Sequence, residues 1–147
     1  FGGSILSLLD LVAYATASRF AGNICVTASF DRVDFHEPIE VGELVICEGR
    51  ISYTGRTSLE VTIEVFAENI FEQRRRRTNT ARVTMMAIKE GKPTPVPALI
   101  CETREDRLLF LEGQLRRTYR AQQREELAAQ VESLQSLSDE DLMARMP

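Results

Sequence analysis

The chain opens on an apolar run that predicts its first element. Between Leu6 and Ala15, apolar residues occupy nearly every face that a helix would present, and Gly22 followed by Asn23 is a pair that commonly ends helices. The pattern predicts a helix over residues 3–21. Since a helix that is apolar on nearly every face is normally buried, we expect this one at the centre of the fold.

Four later segments have the alternation or the composition of strands. Their approximate bounds are 25–35, 44–53, 57–67 and 78–88. The third is the clearest, because apolar residues at positions 59, 61, 63 and 65 alternate with polar residues at 60, 62 and 64. We therefore expect one face of this strand to be buried and the other to be wet, which is typical of an antiparallel sheet.

Short turns separate these segments. Pro38 and Gly42 bracket one turn, residues 54–56 make a brief connection, and residues 74–77 are expected at a hairpin. A further turn falls at residues 90–93, and the prolines at 93, 95 and 97 argue against a regular element there. The strands are therefore expected to be consecutive and antiparallel.

The composition changes near residue 101. Thr103 and Asp106 resemble a capping box, with Asp in place of the usual Glu or Gln, and they predict the start of a long charged helix. Leu108, Leu111 and Leu115 begin a heptad-like stripe that weakens further on. We expect a domain at 1–100, a helical extension at 101–135, and a polar tail at 136–147 that frays.

A chain with one apolar helix followed by antiparallel strands can bury the helix by wrapping the sheet around it. This is the α+β hotdog fold, here with an additional C-terminal helix. Such a sheet leaves edge strands unpaired, and pairing two edges across a two-fold axis would make a dimer with a continuous sheet.

Composition and charge exclude several classes of protein. The net charge of −4 and the pI of about 5.1 argue against nucleic-acid binding. No apolar run has the length of a membrane span, and no basic segment precedes the first apolar run as in a signal peptide. We expect a cytoplasmic protein, with an organellar matrix as the alternative. The chain lacks an initiator Met, so we expect it to start inside a longer gene product.

The residues that commonly bind metals form no metal-site pattern. Cys25, Cys47 and Cys101 have no CxxC spacing, and we expect buried, unpaired thiols. His36 is the single histidine and precedes a turn, where we expect a structural role. We therefore predict no metal site.

Asp10 is the candidate for chemistry, because it is a carboxylate within the apolar helix. An ionised Asp is costly to bury without partners. Gly2 and Gly3 allow the backbone to approach a ligand at the helix N-terminus, where free N–H groups favour negative charge. Ser7 lies one turn before Asp10 and is expected to orient it. A carboxylate and amide donors on one helix suit acyl-transfer chemistry.

These residues and three later stretches resemble one family. Phe1-Gly2-Gly3 followed by Leu6-Ser7 and Asp10 resembles the FGGxxLSxxD signature of bacterial and organellar acyl-CoA thioesterases. The later stretches agree in order and spacing, and the match covers about residues 1–97. They are Val26-Thr27 through Asp34-Phe35 with Pro38-Ile39 and Val41-Gly42-Glu43, then Gly55-Arg56-Thr57-Ser58, and finally Gly91-Lys92-Pro93 with Pro95-Val96-Pro97.

The resemblance implies hydrolysis of acyl-CoA to free CoA and a carboxylic acid. Asp10 would act as general base on a water or as nucleophile, a choice that the sequence leaves open. Backbone N–H groups near Gly2 and Gly3 would stabilise the oxyanion. The resemblance also implies that four residues line the CoA channel, namely Gly55, Arg56, Thr57 and Ser58.

The same resemblance implies a partner but no metal or organic cofactor, since CoA is part of the substrate and product. The partner is a second copy of the chain, whose strands complete the site, and relatives often form trimers of dimers. Relatives carry an Asn about 15 residues before the catalytic Asp; here that position, with the first strand of the sheet, would precede residue 1.

The phosphates of CoA require basic side chains somewhere. Candidates lie in the basic run at 74–77, at two other strand or turn positions, and in the C-terminal helix: Arg76, Arg77, Arg56, Arg82, Arg116, Arg117 and Arg120. Two alternative functions stay open. One is a non-catalytic acyl-CoA-binding or sensor module, and the other is a hotdog thioester hydratase or dehydratase, which would pair a histidine with the Asp.

Overall fold

The computed structural model describes residues 2–31 and 33–147, so Phe1 of the signature lies outside the described residues. The elements follow one another as three helices and six strands within this part of the chain. They are α1 (Gly2–Ala21), β1 (Ile24–Phe30), β2 (Asp34–Phe35), β3 (Leu44–Thr54), β4 (Ser58–Asn69), β5 (Arg74–Lys89), β6 (Lys92–Pro93), α2 (Arg104–Gln135) and α3 (Asp139–Arg145).

The main strands form an antiparallel sheet in the order β1-β5-β4-β3, with β2 and β6 also paired to β5. Helix α1 packs on one face of this sheet through a stripe of one leucine and three alanines at every fourth position. The stripe consists of Leu9, Ala13, Ala17 and Ala21, and it meets alternate residues of β4 and β5 in the core. The predicted α+β architecture, a sheet around one long helix with an added C-terminal helix, is confirmed.

The expectation that α1 is buried on nearly every face is wrong for the single chain. Leu6, Leu11 and Tyr14 are 42%, 63% and 44% exposed, and Asp10 is exposed as well. The physical reason is that one sheet covers one side of a helix. The opposite side of α1 is apolar and uncovered, which is unusual for a surface.

The expectation of a wet face on β4 is also wrong. Glu60 and Thr62 are buried, and the hydroxyl of Ser52 in β3 lies 2.7 Å from Glu60 Oε1 and 2.8 Å from Thr62 Oγ1. Side-chain alternation predicts which residues share a face, but it does not reveal a second layer over the polar face. Part of such a layer exists at the end of β3, where the Tyr53 ring packs against Phe110 with centroids 4.9 Å apart.

Two strand boundaries differ from the prediction. The basic residues 74–77 open β5, and the turn precedes them; there Asn69 Oδ1 accepts hydrogen bonds from the N–H groups of Phe71 and Glu72. The predicted strand at 25–35 is divided into β1 and β2, which both pair with β5. Strand pairing accounts for both differences. Residues 74–77 pair with β4 and so belong to β5, and the segment at 25–35 is a strand only where its residues pair with β5.

The prolines after β5 also allow more structure than expected. Lys92–Pro93 pairs with the end of β5 as β6. The intervening Glu90 and Gly91 have φ values of +52° and +75°, as the two central residues of a type I′ hairpin turn do.

The predicted capping box of α2 is confirmed. Thr103 Oγ1 accepts from the N–H of Asp106, and Asp106 Oδ2 accepts from the N–H of Thr103, both at 3.1 Å. The hydrogen bond from the Thr103 N–H is the main reason that the pKa of Asp106 is lowered. Arg50 of β3 also binds Asp106, with 2.9 Å between Nη2 and Oδ1. The start of α2 is therefore attached to β3.

The chain divides into two compact units, which end and begin between Leu111 and Glu112. In the second unit, the polar tail contains the short helix α3, which low periodicity did not predict. Ser138 caps it by accepting a hydrogen bond from the N–H of Asp141. No helix among the described residues is long and apolar enough to cross a membrane.

Candidate active site

The central feature of the site is a hydrogen bond between α1 and β1. Thr27 Oγ1 donates to Asp10 Oδ1 at 2.7 Å. The same hydroxyl lies 3.5 Å from the sulfur of the buried Met85. A hydroxyl has one proton and donates one hydrogen bond. Because a carboxylate is a far better acceptor than a thioether, Asp10 accepts that hydrogen bond. The sequence did not indicate Thr27 as a site residue, although Thr27 lies in one of the stretches that resemble the thioesterases.

The connection between α1 and β1 produces this juxtaposition. Gly22 has a φ of +70°, and its N–H donates to Ser18 O at 2.9 Å, so the helix ends in a left-handed residue as glycine allows. The Ser18 hydroxyl then accepts the N–H of Cys25 at 3.1 Å. The chain reverses tightly, and β1 returns beside the helix with Thr27 level with Asp10.

An open groove of about 670 Å³ runs between α1 and β1. Its lining is mostly apolar around the Asp10–Thr27 pair, and it consists of Ser7, Asp10, Leu11, Tyr14, Ile24, Cys25, Val26, Thr27 and Met85. Burial raises the pKa of the Cys25 thiol, so this thiol is a weak nucleophile at neutral pH. Asp10 is thus the nucleophile or base that the groove offers.

The predicted oxyanion site is the N-terminus of α1, the helix that also carries Asp10. Gly2 and Gly3 are the first residues of α1, where backbone N–H groups have no intrahelical acceptor. A rise of 1.5 Å per residue places Gly3 roughly 10 Å from Asp10 along the helix axis. The Ser7 hydroxyl between them donates to Gly3 O at 3.1 Å. The hydroxyl that contacts Asp10 therefore belongs to Thr27, while that of Ser7 is bonded within the helix.

The loop of Gly55, Arg56, Thr57 and Ser58 joins β3 to β4, and its main chain is held by three hydrogen bonds. Gly55 N donates to Ser58 O, Ala87 N to Thr57 O, and Val96 N to Arg56 O, at 2.8–3.0 Å. Ala87 also pairs with Cys25 of β1. One strand, β5, therefore separates this loop from the groove, and the exposed Arg56 side chain lies at that end of the sheet.

The arginines of β5 lie elsewhere in the protomer. Arg76 binds Glu37 and Glu43 at 2.7 and 2.6 Å, and Arg77 lies 3.4 Å from Glu64. Arg76 precedes Met85 by nine residues on one strand, which is roughly 30 Å. Arg82 has a buried Nε without a partner among the described residues. The 55–58 loop therefore lies at the end of the sheet that carries the groove, whereas Arg76 and Arg77 of the same copy lie far from it.

The remaining candidates are His36 and the residue types that commonly bind metals. No group of three or more His, Cys, Asp or Glu residues suited to a metal ion occurs in the described part of the chain. His36 is exposed, and its backbone N–H donates to Thr78 O at 2.8 Å. Thr78 lies seven residues from Met85 on β5, roughly 23 Å, so His36 is not a partner of Asp10 within one copy.

Comparison with known proteins shows the relatives of this chain. Residues 1–70 match the family model of the thioesterase superfamily. The protein VdlD of Helicobacter pylori is 42% identical over 116 residues, which are 79% of this chain and 66% of VdlD. The chain therefore spans just under two thirds of the length of that curated relative.

Solved structures share the fold as well. A hexameric acyl-CoA thioesterase in its apo form has a TM-score of 0.80 at 38% identity, covering 84% of this chain and 80% of that one. The acyl-CoA hydrolase of Staphylococcus aureus, in complex with butyryl coenzyme A, coenzyme A and coenzyme A disulfide, has a TM-score of 0.80 at 30% identity, covering 92% and 84%. Fold and site define the class as a hotdog thioesterase. The chain belongs to the hotdog acyl-CoA thioesterase family.

Three alanine variants of the Staphylococcus aureus hydrolase have also been solved. They replace an asparagine, an aspartate fifteen positions further on, and a threonine seventeen positions beyond that aspartate. Asp10 and Thr27 are separated by the same seventeen positions.

Proposed function

We propose that the chain hydrolyses acyl-CoA thioesters to free CoA and a carboxylic acid, with Asp10 as the reactive group. The observation that carries the proposal is the Asp10–Thr27 hydrogen bond inside an open, largely apolar groove. A polar pair of this kind would hold the thioester, while the apolar lining would receive the acyl chain. Membership of the acyl-CoA thioesterase family supports the substrate class.

Two chemical courses satisfy this geometry. As general base, Asp10 takes a proton from water, and the hydroxide adds to the thioester carbonyl carbon. The tetrahedral intermediate then expels CoA as thiolate, which recovers the proton. As nucleophile, Asp10 adds to the carbonyl carbon and expels CoA as thiolate, which leaves a mixed anhydride. Water then hydrolyses the anhydride to the carboxylic acid and free Asp10, and the thiolate takes up the proton that is released. In both courses the Thr27 hydroxyl fixes the rotation of the carboxylate. Because Gly3 lies roughly 10 Å from Asp10 along α1, the helix N-terminus whose N–H groups stabilise the oxyanion would be that of a second copy.

The alanine variants of the Staphylococcus aureus hydrolase support the choice of residues. Its aspartate and threonine have the spacing of Asp10 and Thr27, so we assign the two pairs to the same roles. The asparagine of that hydrolase corresponds to a position before residue 1.

We further propose a homodimer in which a second copy completes the groove. Strand β1 is an edge of the sheet, so no strand among the described residues lies on its outer side. Ile24 and Val26 on this edge, and Leu11 and Tyr14 on the adjoining helix, are exposed. Pairing with β1 of a second copy would extend the sheet and cover this apolar surface. The hexameric relative supports a trimer of dimers as the larger assembly.

The CoA part of the substrate is assigned to the loop at Gly55, Arg56, Thr57 and Ser58. Its main chain is fixed by hydrogen bonds, and it lies at the end of the sheet that carries the groove. Arg56 is the basic side chain nearest to this channel. Arg76 and Arg77 would act only on substrate bound to another copy.

The test is acyl-CoA hydrolysis followed by the release of free thiol. The parent protein is expected to release CoA from acyl-CoA, and Asp10→Asn is expected to lose at least roughly a thousandfold in kcat while it still binds CoA in calorimetry. Asp139→Asn in α3 is the matched control and keeps parent activity. No thiol release by the parent would favour a binding module, and formation of an enoyl or hydroxyacyl product without free CoA would favour a hydratase.

A further inference from the structure

Gly49 lies in β3 opposite Ile63 of β4. It shares a strand face with Cys47 and Ile51, because residues two apart point the same way. Cys47 and Ile51 pack against the core that underlies α1. A side chain at position 49 would therefore point at the helix that carries Asp10.

The space for such a side chain is already occupied by Thr16 and Val12 of α1. A Cβ at position 49 would stand 2.5 Å from Thr16 Oγ1 and 3.0 Å from Val12 Cγ1. Ordinary contacts begin at 3.4 Å, so helix and strand would have to separate by about 0.9 Å. The Thr16 hydroxyl is not free to rotate away, since it donates to Val12 O at 2.7 Å.

This contact lies on the opposite side of α1 from the reactive carboxylate. Residues two apart on a helix differ by about 200° in direction, so Val12 faces β3 while Asp10 faces β1. Helix α1 is held between Gly49 on one side and Thr27 on the other. A displacement of the helix at Gly49 therefore changes the separation of Asp10 and Thr27.

We propose that Gly49 is a positioning residue for Asp10. Because Gly49 has no side chain, Thr16 packs directly against it, and α1 then lies where the Asp10 carboxylate binds the Thr27 hydroxyl. The inference rests on the proposed hydrolase function. A misplacement of about 1 Å in an active site costs on the order of a hundredfold in rate. Gly49→Ala should therefore lower kcat roughly ten- to a hundredfold and leave KM nearly unchanged, because the 55–58 loop is not displaced.

The design of the test is a rescue by a second substitution. Thr16→Ala removes the oxygen that the new methyl would strike, so the double variant Gly49→Ala/Thr16→Ala should recover most of the parent kcat. Thr16→Ser keeps the oxygen, so Gly49→Ala/Thr16→Ser should stay impaired. Thr16→Ala alone gives the reference kcat with which the double variant is compared. Thermal unfolding of each variant identifies those that are folded at the assay temperature.

The outcomes separate cleanly. Recovery with Thr16→Ala but not with Thr16→Ser supports the proposal, even where Gly49→Ala alone does not fold. A folded Gly49→Ala with parent kcat overturns it, as does a folded, impaired double variant with Thr16→Ala. A crystal structure of Gly49→Ala, or of the Thr16→Ser double variant, reads the Asp10–Thr27 distance without any assay. An unchanged Asp10–Thr27 distance would contradict the positioning role, whereas a parent protein without activity would contradict the hydrolase function instead.

Discussion

Thr27 and Asp10, seventeen positions apart, are joined by a 2.7 Å hydrogen bond that connects strand β1 to helix α1. The Asp10 side chain is exposed in the single chain, so little packing restricts its rotation. The bond from Thr27 is therefore the main restraint on the direction of the carboxylate.

Removal of the Thr27 hydroxyl should lower the rate of acyl-CoA hydrolysis. Thr27→Ala is expected to reduce kcat roughly ten- to a hundredfold, because the carboxylate loses its orienting donor. Thr27→Ser keeps the hydroxyl and should retain most of the activity. Steady-state kinetics with thiol detection gives both values, and equal rates for Ala and Ser would show that the hydroxyl has no role.

A charge on the outer edge of β1 should prevent dimer formation. Val26→Asp places a carboxylate on the edge that is proposed to pair with a second copy, where an unpaired charge is costly to bury. Light scattering after size exclusion should show a smaller assembly with lost hydrolysis. Val41→Asp is the matched control, since Val41 is 93% exposed in a loop away from the groove. A Val26→Asp protein with the parent mass would contradict pairing through β1.

Glu43 should contribute stability that is lost in acid. The Glu40 N–H donates to Glu43 Oε1 at 2.8 Å, and Arg76 lies 2.6 Å from the same oxygen. These contacts, the Glu40 N–H first, lower the pKa of Glu43 from its ordinary value of 4.5. A carboxyl whose pKa is lower in the folded state stabilises the protein above its unfolded pKa. That contribution disappears as the pH falls through the folded pKa.

Glu43→Gln should therefore lower Tm at pH 7 and flatten the fall of Tm below about pH 4.5. Thermal unfolding by circular dichroism across the acid range measures both effects. Glu40→Gln keeps the backbone N–H that binds Glu43, and its profile should follow the parent. Parallel profiles for Glu43→Gln and the parent would mean that this carboxylate adds no pH-dependent stability.

Loss of the α2 cap should destabilise the first compact unit. Thr103→Ala removes the oxygen that accepts the Asp106 N–H, and such a change costs about 0.5–2 kcal/mol. Urea unfolding should show that decrease, while Thr103→Ser should stay close to the parent. Equal midpoints for all three proteins would indicate that water replaces the cap without loss.

The sequence predicted the features that depend on neighbours along the chain. The helix over 3–21, the antiparallel strands and the Thr103–Asp106 cap follow from side-chain periodicity, turn residues and a local hydrogen-bond pattern. Family membership was also predicted from the resemblance of four short stretches, and acyl-CoA thioesterase structures at 38% and 30% identity confirm it. Asp10 stands out by its type alone, as a carboxylate in an apolar helix.

The tertiary structure decided the features that depend on distant residues. It set the exposure of Asp10, the burial of Glu60 under a second layer, and the donor at Asp10, which is Thr27 and not Ser7. It also showed that Gly49 has no space for a side chain because Thr16 lies against it. A sequence pattern gives the faces of one element at a time, whereas these relationships exist only once the chain has brought separate elements into contact.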